Sequence, residues 1–156
     1  MIDSYGRKID YIRFSITDKC NYRCKYCMPE DGVLDIGHQS VLRYEELLAV
    51  AKSAVSLGIT KFRITGGEPL VRRGVVDFIK KLKEIEGVKE VAMTTNGSLL
   101  KDYAKDLKEA GLDRVNVSLD TLRYDRFKEI TRTGNLADVY AGINEAVKEG
   151  LSPIKI

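Results

Sequence analysis

The feature that most constrains this chain is a pattern that occurs four times: glycine, an apolar residue, two mostly polar residues, then an apolar–X–apolar alternation. It reads Gly58-Ile59-Thr60-Lys61-Phe62-Arg63-Ile64-Thr65, then Gly87-Val88-Lys89-Glu90-Val91-Ala92-Met93-Thr94. It returns as Gly111-Leu112-Asp113-Arg114-Val115-Asn116-Val117-Ser118 and as Gly150-Leu151-Ser152-Pro153-Ile154-Lys155-Ile156. A glycine ends a helix cheaply because it can take the left-handed C′ conformation, and the alternation behind it reads as a strand. The repeats lie 24 to 39 residues apart, which leaves room for a helix in each.

Apolar stripes at spacings of three and four stand before every glycine, the signature of amphipathic helices. They are Leu47, Val50, Ala51 and Ala54; Val75, Phe78, Ile79 and Leu82; Leu100, Tyr103, Ala104 and Leu107; and Leu136, Val139, Tyr140, Ile143 and Val147. The first helix begins weakly, since Arg43 stands where Ser, Thr or Asp would cap better. An opening strand from Ile9 to Thr17 precedes them, and two helices precede the last strand. Helices between strands imply a parallel sheet with right-handed crossovers. The expected fold is therefore α/β, a partial (β/α) TIM-like barrel in one domain over residues 1–156, truncated after about four βα units. Truncation is expected because the last strand starts only at Ile154 and would leave an unpaired edge. A complete flavodoxin-like domain is the alternative.

In the register set by the repeat, Ile12/Phe14, Phe62/Ile64, Val91/Met93, Val115/Val117 and Ile154/Ile156 share the helix-facing side. The opposite side carries Arg13, Arg63, Ala92, Asn116 and Lys155 in one layer, with Ser15, Thr65, Thr94 and Ser118 in the next. A closed barrel fills its interior with Val, Ile and Leu. Three cations buried without partners would each cost several kcal/mol, and no acidic residue shares their register. The expectation is a polyanionic ligand bound inside, with the active site at the C-terminal ends of the strands.

The chain has three cysteines, in the loop Asp18-Lys19-Cys20-Asn21-Tyr22-Arg23-Cys24-Lys25-Tyr26-Cys27-Met28-Pro29. An odd number so closely spaced argues against a disulfide framework. Three thiolates at C-x3-C-x2-C can bind three irons of a 4Fe–4S cluster and leave the fourth open. Zinc is the competitor, but a structural zinc site wants four protein ligands, and the only histidine is His38. A Cys24–Cys27 redox pair would leave Cys20 unexplained.

Charge and hydropathy exclude other classes. Lys and Arg total 26 against 23 Asp and Glu, a net charge of +3, and no basic block marks a nucleic-acid footprint. No apolar run approaches the ~20 residues of a membrane span, and MIDSYGRKIDY lacks a signal-peptide core, so a cytoplasmic protein is expected. Lys80-Lys81-Leu82-Lys83-Glu84 reads as a solvated helix face, Tyr124 and Phe127 as packing of a short helix near Ile130, and His38 as a surface residue.

The cysteine loop after a first strand, followed by Thr65-Gly66-Gly67-Glu68-Pro69 after the second, resembles the radical S-adenosylmethionine (SAM) superfamily and its GGEP motif. Within it the chain is similar to the GTP 3′,8-cyclases of molybdenum cofactor synthesis. That likeness rests on the stretch from Asp10 to Pro29, on Phe62-Arg63-Ile64-Thr65-Gly66-Gly67-Glu68-Pro69-Leu70, on Thr94-Thr95-Asn96-Gly97 and on Asn116-Val117-Ser118-Leu119-Asp120. The resemblance implies a radical SAM barrel with the cluster on Cys20, Cys24 and Cys27. It implies SAM contacts at Tyr26, Gly67 and Ser118, with the Glu68 region receiving the SAM ammonium, and GTP contacts at Arg13, Arg63, Thr94 and Lys155.

The implied reaction cleaves SAM reductively to a 5′-deoxyadenosyl radical that abstracts hydrogen from C3′ of GTP. Closure onto C8 gives (8S)-3′,8-cyclo-7,8-dihydroguanosine 5′-triphosphate, with the radical chemistry carried by cluster and SAM rather than by a catalytic side chain. The implied partners are an electron donor and cyclic pyranopterin monophosphate synthase, which takes the product. The family's second half holds another 4Fe–4S cluster that binds guanine, so this chain alone is expected to hold its cluster poorly and to be inactive. A radical SAM enzyme acting on a peptide or tRNA, and a non-catalytic metal-binding domain, are the other readings.

Overall fold

The computed structural model describes residues 2–32 and 41–156; His38 lies outside the described residues. The strands are β1 (Tyr11–Ser15), β2 (Lys61–Thr65), β3 (Glu90–Thr95), β4 (Arg114–Val117) and β5 (Ile154–Lys155). Between them run α1 (Tyr44–Ser56), α2 (Val75–Lys83), α3 (Leu100–Glu109), α4 (Tyr124–Thr131) and α5 (Leu136–Lys148), with a 3₁₀ turn at Pro69–Val71. All strands are parallel, in the order β1-β2-β3-β4-β5. Sequential order is the winding of a barrel; a flavodoxin-like sheet runs 2-1-3-4-5. The expected partial barrel is the fold observed.

The glycine repeat does what its position requires: Gly58, Gly87, Gly111 and Gly150 have φ of 92°, 94°, 87° and 72°. The first strand is shorter than expected because the chain leaves the sheet after Ile16, whose N–H still donates to the Thr65 carbonyl at 2.9 Å. Arg43 caps helix α1 without a favourable side chain; the Glu46 carboxylate accepts from the Arg43 N–H at 2.7 Å instead.

Phe14, Phe62, Ile64, Val91, Met93, Val115 and Val117 are buried on the helix side. Phe14 and Phe62 rings lie 5.6 Å apart. Two stripe residues are not core: Val50 is 44% exposed and Val147 is 63% exposed. Small residues take their place. Ala146 and Gly142 are buried on α5, and a Cβ on Gly142 would collide with the Gly97 carbonyl, so α5 closes directly over the loop after β3. Phe127 is buried as expected, while Tyr124 is exposed and tilts against Tyr140 at 6.5 Å. Among the described residues no helix is long and apolar enough to cross a membrane.

The polar side differs from expectation in register. Arg13 pairs with Arg63 and Arg63 with Ala92, but Ala92 pairs with Arg114 rather than Asn116. Asn116 instead stands between Thr94 and Lys155. The slip of two residues keeps every side chain on its face and moves β4 and β5 up one layer, which puts Ser118 beyond the sheet. Stagger of this kind accumulates when parallel strands tilt toward a barrel. Asp113 marks the step: its N–H donates to Val91 O at 2.9 Å, and its carboxylate accepts from Val91 N–H at 2.7 Å.

Candidate functional site

Loops leaving the C-terminal ends of β1 to β4 meet in a rim above the polar strand face. After β2 the chain passes against the cysteine loop: Gly67 N–H donates to Thr17 O at 2.7 Å and Glu68 N–H to Lys19 O at 2.9 Å. A Cβ on Gly66 would strike the Thr17 carbonyl, and one on Gly67 the carbonyls of Lys19 and Asp18. Both glycines are therefore required by backbone meeting backbone.

Glu68 is fully buried. Its Oε1 accepts from Thr95 Oγ1 at 2.8 Å and Leu70 N–H at 3.0 Å, and its Oε2 from Asn96 N–H at 2.7 Å. Burial pushes the carboxyl up, against the pull of those three donors. The carboxylate is a clasp between the β2 and β3 loops, with its oxygens already engaged.

The three cysteines are free, with Cys24 buried, Cys20 half-buried and Cys27 exposed. Burial pushes the Cys24 thiol up to about 11, and neighbouring Cys27 and Cys20 push the same way. Burial likewise raises Cys20, opposed by the Tyr22 amide. Tyr22 N–H donates to Cys20 Sγ at 3.4 Å and Asn96 Nδ2 approaches it at 3.9 Å. Soft sulfur donors, with N–H groups aimed at Cys20 Sγ, fit an iron–sulfur cluster, whose properties are tuned by such bonds. Among the described residues no three His, Cys, Asp or Glu side chains are gathered around one centre.

Of the expected SAM contacts, Tyr26, Gly67 and Ser118 are all exposed on the rim. Tyr26 Oη donates to Asp120 Oδ2 at 2.9 Å, which ties the cysteine loop to the loop after β4. Burial, then the Asp120 carboxylate, push the phenol well up, so it stays protonated as that donor. Ser118 N–H donates to Thr95 O at 2.8 Å.

The expected GTP contacts all lie on the polar strand face, at two heights rather than one: Arg13 and Arg63 below, Thr94 and Lys155 above. The cations are also less buried than expected, because this face is open. Arg13 and Lys155 are exposed and Arg63 is half-buried. The Arg63 guanidinium lies 5.5 Å from the Tyr11 ring centre, and its Nε is buried without a partner. An acidic residue does reach this face: Glu90 pairs with Arg114 at 2.7 Å. Arg114 is thereby neutralised, and Arg13, Arg63 and Lys155 form no ion pair among the described residues.

Sequence reasoning did not single out Asn21, Asn96, Arg132 or the Glu68 clasp. Asn96 Nδ2 donates to Asn21 Oδ1, and Asn21 Nδ2 to Ser98 Oγ, each at 2.8 Å. A local signal existed only for Asn96, which precedes Gly97 in a turn-forming pair.

The Radical SAM superfamily model matches residues 14–156. Curated relatives include the GTP 3′,8-cyclase of Thermodesulfovibrio yellowstonii, 55% identical over all of this chain and 49% of that protein. The GTP 3′,8-cyclase of Petrotoga mobilis is 56% identical over all of this chain and 48% of its own length. The chain thus spans about half the length of the curated relatives it matches. Solved structures of similar fold include HydG, a maturase of the FeFe-hydrogenase, with TM-score 0.74 at 16% identity over 92% of this chain and 33% of that one. Methylornithine synthase gives TM-score 0.71 at 13% identity over 92% of this chain and 42% of that one.

Proposed function

The chain belongs to the radical SAM superfamily, and from that premise we propose that it forms the N-terminal half of a GTP 3′,8-cyclase of molybdenum cofactor synthesis. Membership implies a 4Fe–4S cluster and SAM as cofactors. The observation that carries the narrower reading is the trio of cations without ion-pair partners, Arg13, Arg63 and Lys155, on the strand face beneath the cysteine rim. Relatives named for GTP cyclisation at 55% and 56% identity support it.

Cys20, Cys24 and Cys27 are the residues that would hold the cluster. When bound there, such a cluster would supply the electron for reductive cleavage of SAM, the chemistry that would draw hydrogen from GTP C3′. Tyr26, Gly67 and Ser118 orient SAM on the rim. Arg13 and Arg63 take phosphate oxygens by charge-assisted, forked hydrogen bonds. Lys155 and Thr94, one layer higher, bind the same nucleotide nearer the rim. In this reading GTP lies along the strands with its phosphates low and its reacting ribose toward SAM. The strand wall and rim keep water and stray hydrogen donors from the ribose.

The remaining half of a protein of the relatives' length would add the second 4Fe–4S cluster and the guanine contacts. The protein works in the cytoplasm with an electron donor, and cyclic pyranopterin monophosphate synthase consumes the product.

The test is to give a full-length protein carrying this chain GTP and SAM under reducing, oxygen-free conditions. The expected result is a cyclised nucleotide with 5′-deoxyadenosine formed in step with GTP. If 5′-deoxyadenosine forms equally well without GTP and no cyclised nucleotide appears, the cyclase reading is wrong and a radical SAM enzyme with another substrate remains.

A further inference from the structure

Helix α4 ends in a turn that proteins seldom adopt. Arg132 has φ 60° and ψ −51°, the one non-glycine residue with positive φ among the described residues. The Thr133 N–H donates back to Thr131 O at 2.7 Å. Arg132 is therefore the centre of a γ-turn of the rare, strained hand. A side chain at positive φ is uncommon, and such strain persists where the surroundings over-determine it, often at functional sites. Glycine would be the unstrained choice here, and the chain has arginine.

The surroundings explain the choice. Arg132 Nη1 donates to Arg23 O at 2.7 Å and to Met28 O at 3.2 Å. Those carbonyls flank the Cys24–Cys27 segment, one just before Cys24 and one just after Cys27. The same turn grips the loop by its backbone: Arg23 N–H donates to Thr131 O at 3.1 Å and Lys25 N–H to Ile130 O at 2.9 Å. Thr133 Oγ1 donates to Asn21 O at 3.0 Å. Thr131 itself is buried, and its hydroxyl is fixed between Phe127 O at 2.8 Å and Gly134 N–H at 3.1 Å. The γ-turn thus swings the guanidinium off the helix axis and across the cysteine loop, where it spans both ends of the Cys24–Cys27 segment.

We infer that Arg132 is a positioning residue for the cluster: its strained turn locks the cysteine loop at a fixed height and holds a positive charge against the backbone carbonyls at both ends of the Cys24–Cys27 segment. The inference rests on the superfamily reading but on none of the GTP contacts. Two consequences separate it from ordinary fold support. Arg132→Gly removes latch and strain together, so it weakens the grip on iron without weakening the fold. Removing a cation near a cluster disfavours the added electron, so the midpoint potential falls.

A full-length protein carrying this chain is loaded anaerobically with iron and sulfide, as parent, Arg132→Gly and Arg132→Lys. Iron loss to a chelator, the cluster midpoint potential and the unfolding temperature of the metal-free forms are then compared. Outer partners of metal ligands typically change affinity by about 10- to 100-fold, so Arg132→Gly should lose iron faster by that order. Its potential should fall and its metal-free unfolding temperature should not. Arg132→Lys keeps the charge, so its potential should stay near the parent's while iron loss is intermediate. The inference is overturned if Arg132→Gly holds iron as long as the parent at an unchanged potential. It is also overturned if iron loss merely follows a matching drop in unfolding temperature. A parent that binds no more iron than its Cys20, Cys24 and Cys27 triple serine variant would defeat the superfamily chemistry itself, and this inference with it.

Discussion

The rim and the strand face below it are adjoining surfaces of one sheet, and they handle polar groups differently. At the rim the Glu68 carboxylate takes three donors, Asn96 meets Asn21, and Tyr26 meets Asp120. On the strand face Arg63 Nε is buried without a partner, and Arg13 and Lys155 stand exposed. A satisfied network holds its geometry before anything binds, whereas cations without ion-pair partners can still take an anion. Under the proposed function, the difference separates two jobs: the rim fixes where the cofactors sit, and the wall selects what is brought to them. Changes at the rim should therefore cost cluster or fold, and changes on the wall should cost nucleotide affinity alone.

The largest expected effect is at the thiols. Cys24→Ser should abolish cluster loading, read as iron and sulfide bound after anaerobic reconstitution. Next comes Gly67→Ala, whose Cβ would strike the Lys19 and Asp18 carbonyls. Forcing atoms into a packed site costs about 1–3 kcal/mol, which urea unfolding of the metal-free chain would register. A wild-type midpoint in that variant would show that the two loops are not in contact.

Glu68→Gln should follow at about 2 kcal/mol, since an amide nitrogen would face an N–H or O–H that now donates to a carboxylate oxygen. On the other side of the comparison, Arg63→Ala should move stability by less than about 0.5 kcal/mol. It should weaken GTP binding by ~10-fold or more, from the loss of a charged hydrogen bond, and leave SAM binding nearly unchanged. Equal losses for both ligands would erase the division between wall and rim.

The smallest effect is a pH dependence of the metal-free chain. Folding raises the Cys24 thiol from 9.0 to about 11. A raised value means that its contribution to stability is complete below pH 9 and is lost as pH climbs through 11. The unfolding temperature should decline over that window, and Cys24→Ser should flatten the decline. A parallel decline in that variant would assign the effect to other groups.

What the sequence disclosed follows from how local each signal is. Helix ends at Gly58, Gly87, Gly111 and Gly150 depend on a single residue's backbone freedom, so the element order and parallel winding were legible. So was the sidedness of the strands, because a period of two survives any slip by two residues. The layer was not legible. Pairing Arg114 rather than Asn116 with Ala92 depends on strand tilt and on Asp113 meeting Val91 across the sheet, which no single segment encodes.

The same distance effect governs the site. Cys20, Cys24 and Cys27 are neighbours in sequence and were found at once. The Glu68 clasp reaches Thr95 and Asn96, and the Arg132 latch reaches Arg23 and Met28, across tens to more than a hundred residues. Glu90 was overlooked as a partner because it lies one layer below Ala92, and only the observed register brings Arg114 to it.

The central claim is that Cys20, Cys24 and Cys27 grip three corners of a four-iron cluster and leave the fourth for SAM. It is tested most directly by reconstituting the protein and its triple serine variant anaerobically, then recording iron content and the reduced cluster's electron paramagnetic resonance spectrum with and without SAM. The account predicts a difference of about four irons between the two proteins, and a spectrum that changes on adding SAM only when the cysteines are present. Equal iron in both proteins, or a single zinc on the three thiols and a spectrum indifferent to SAM, would contradict it.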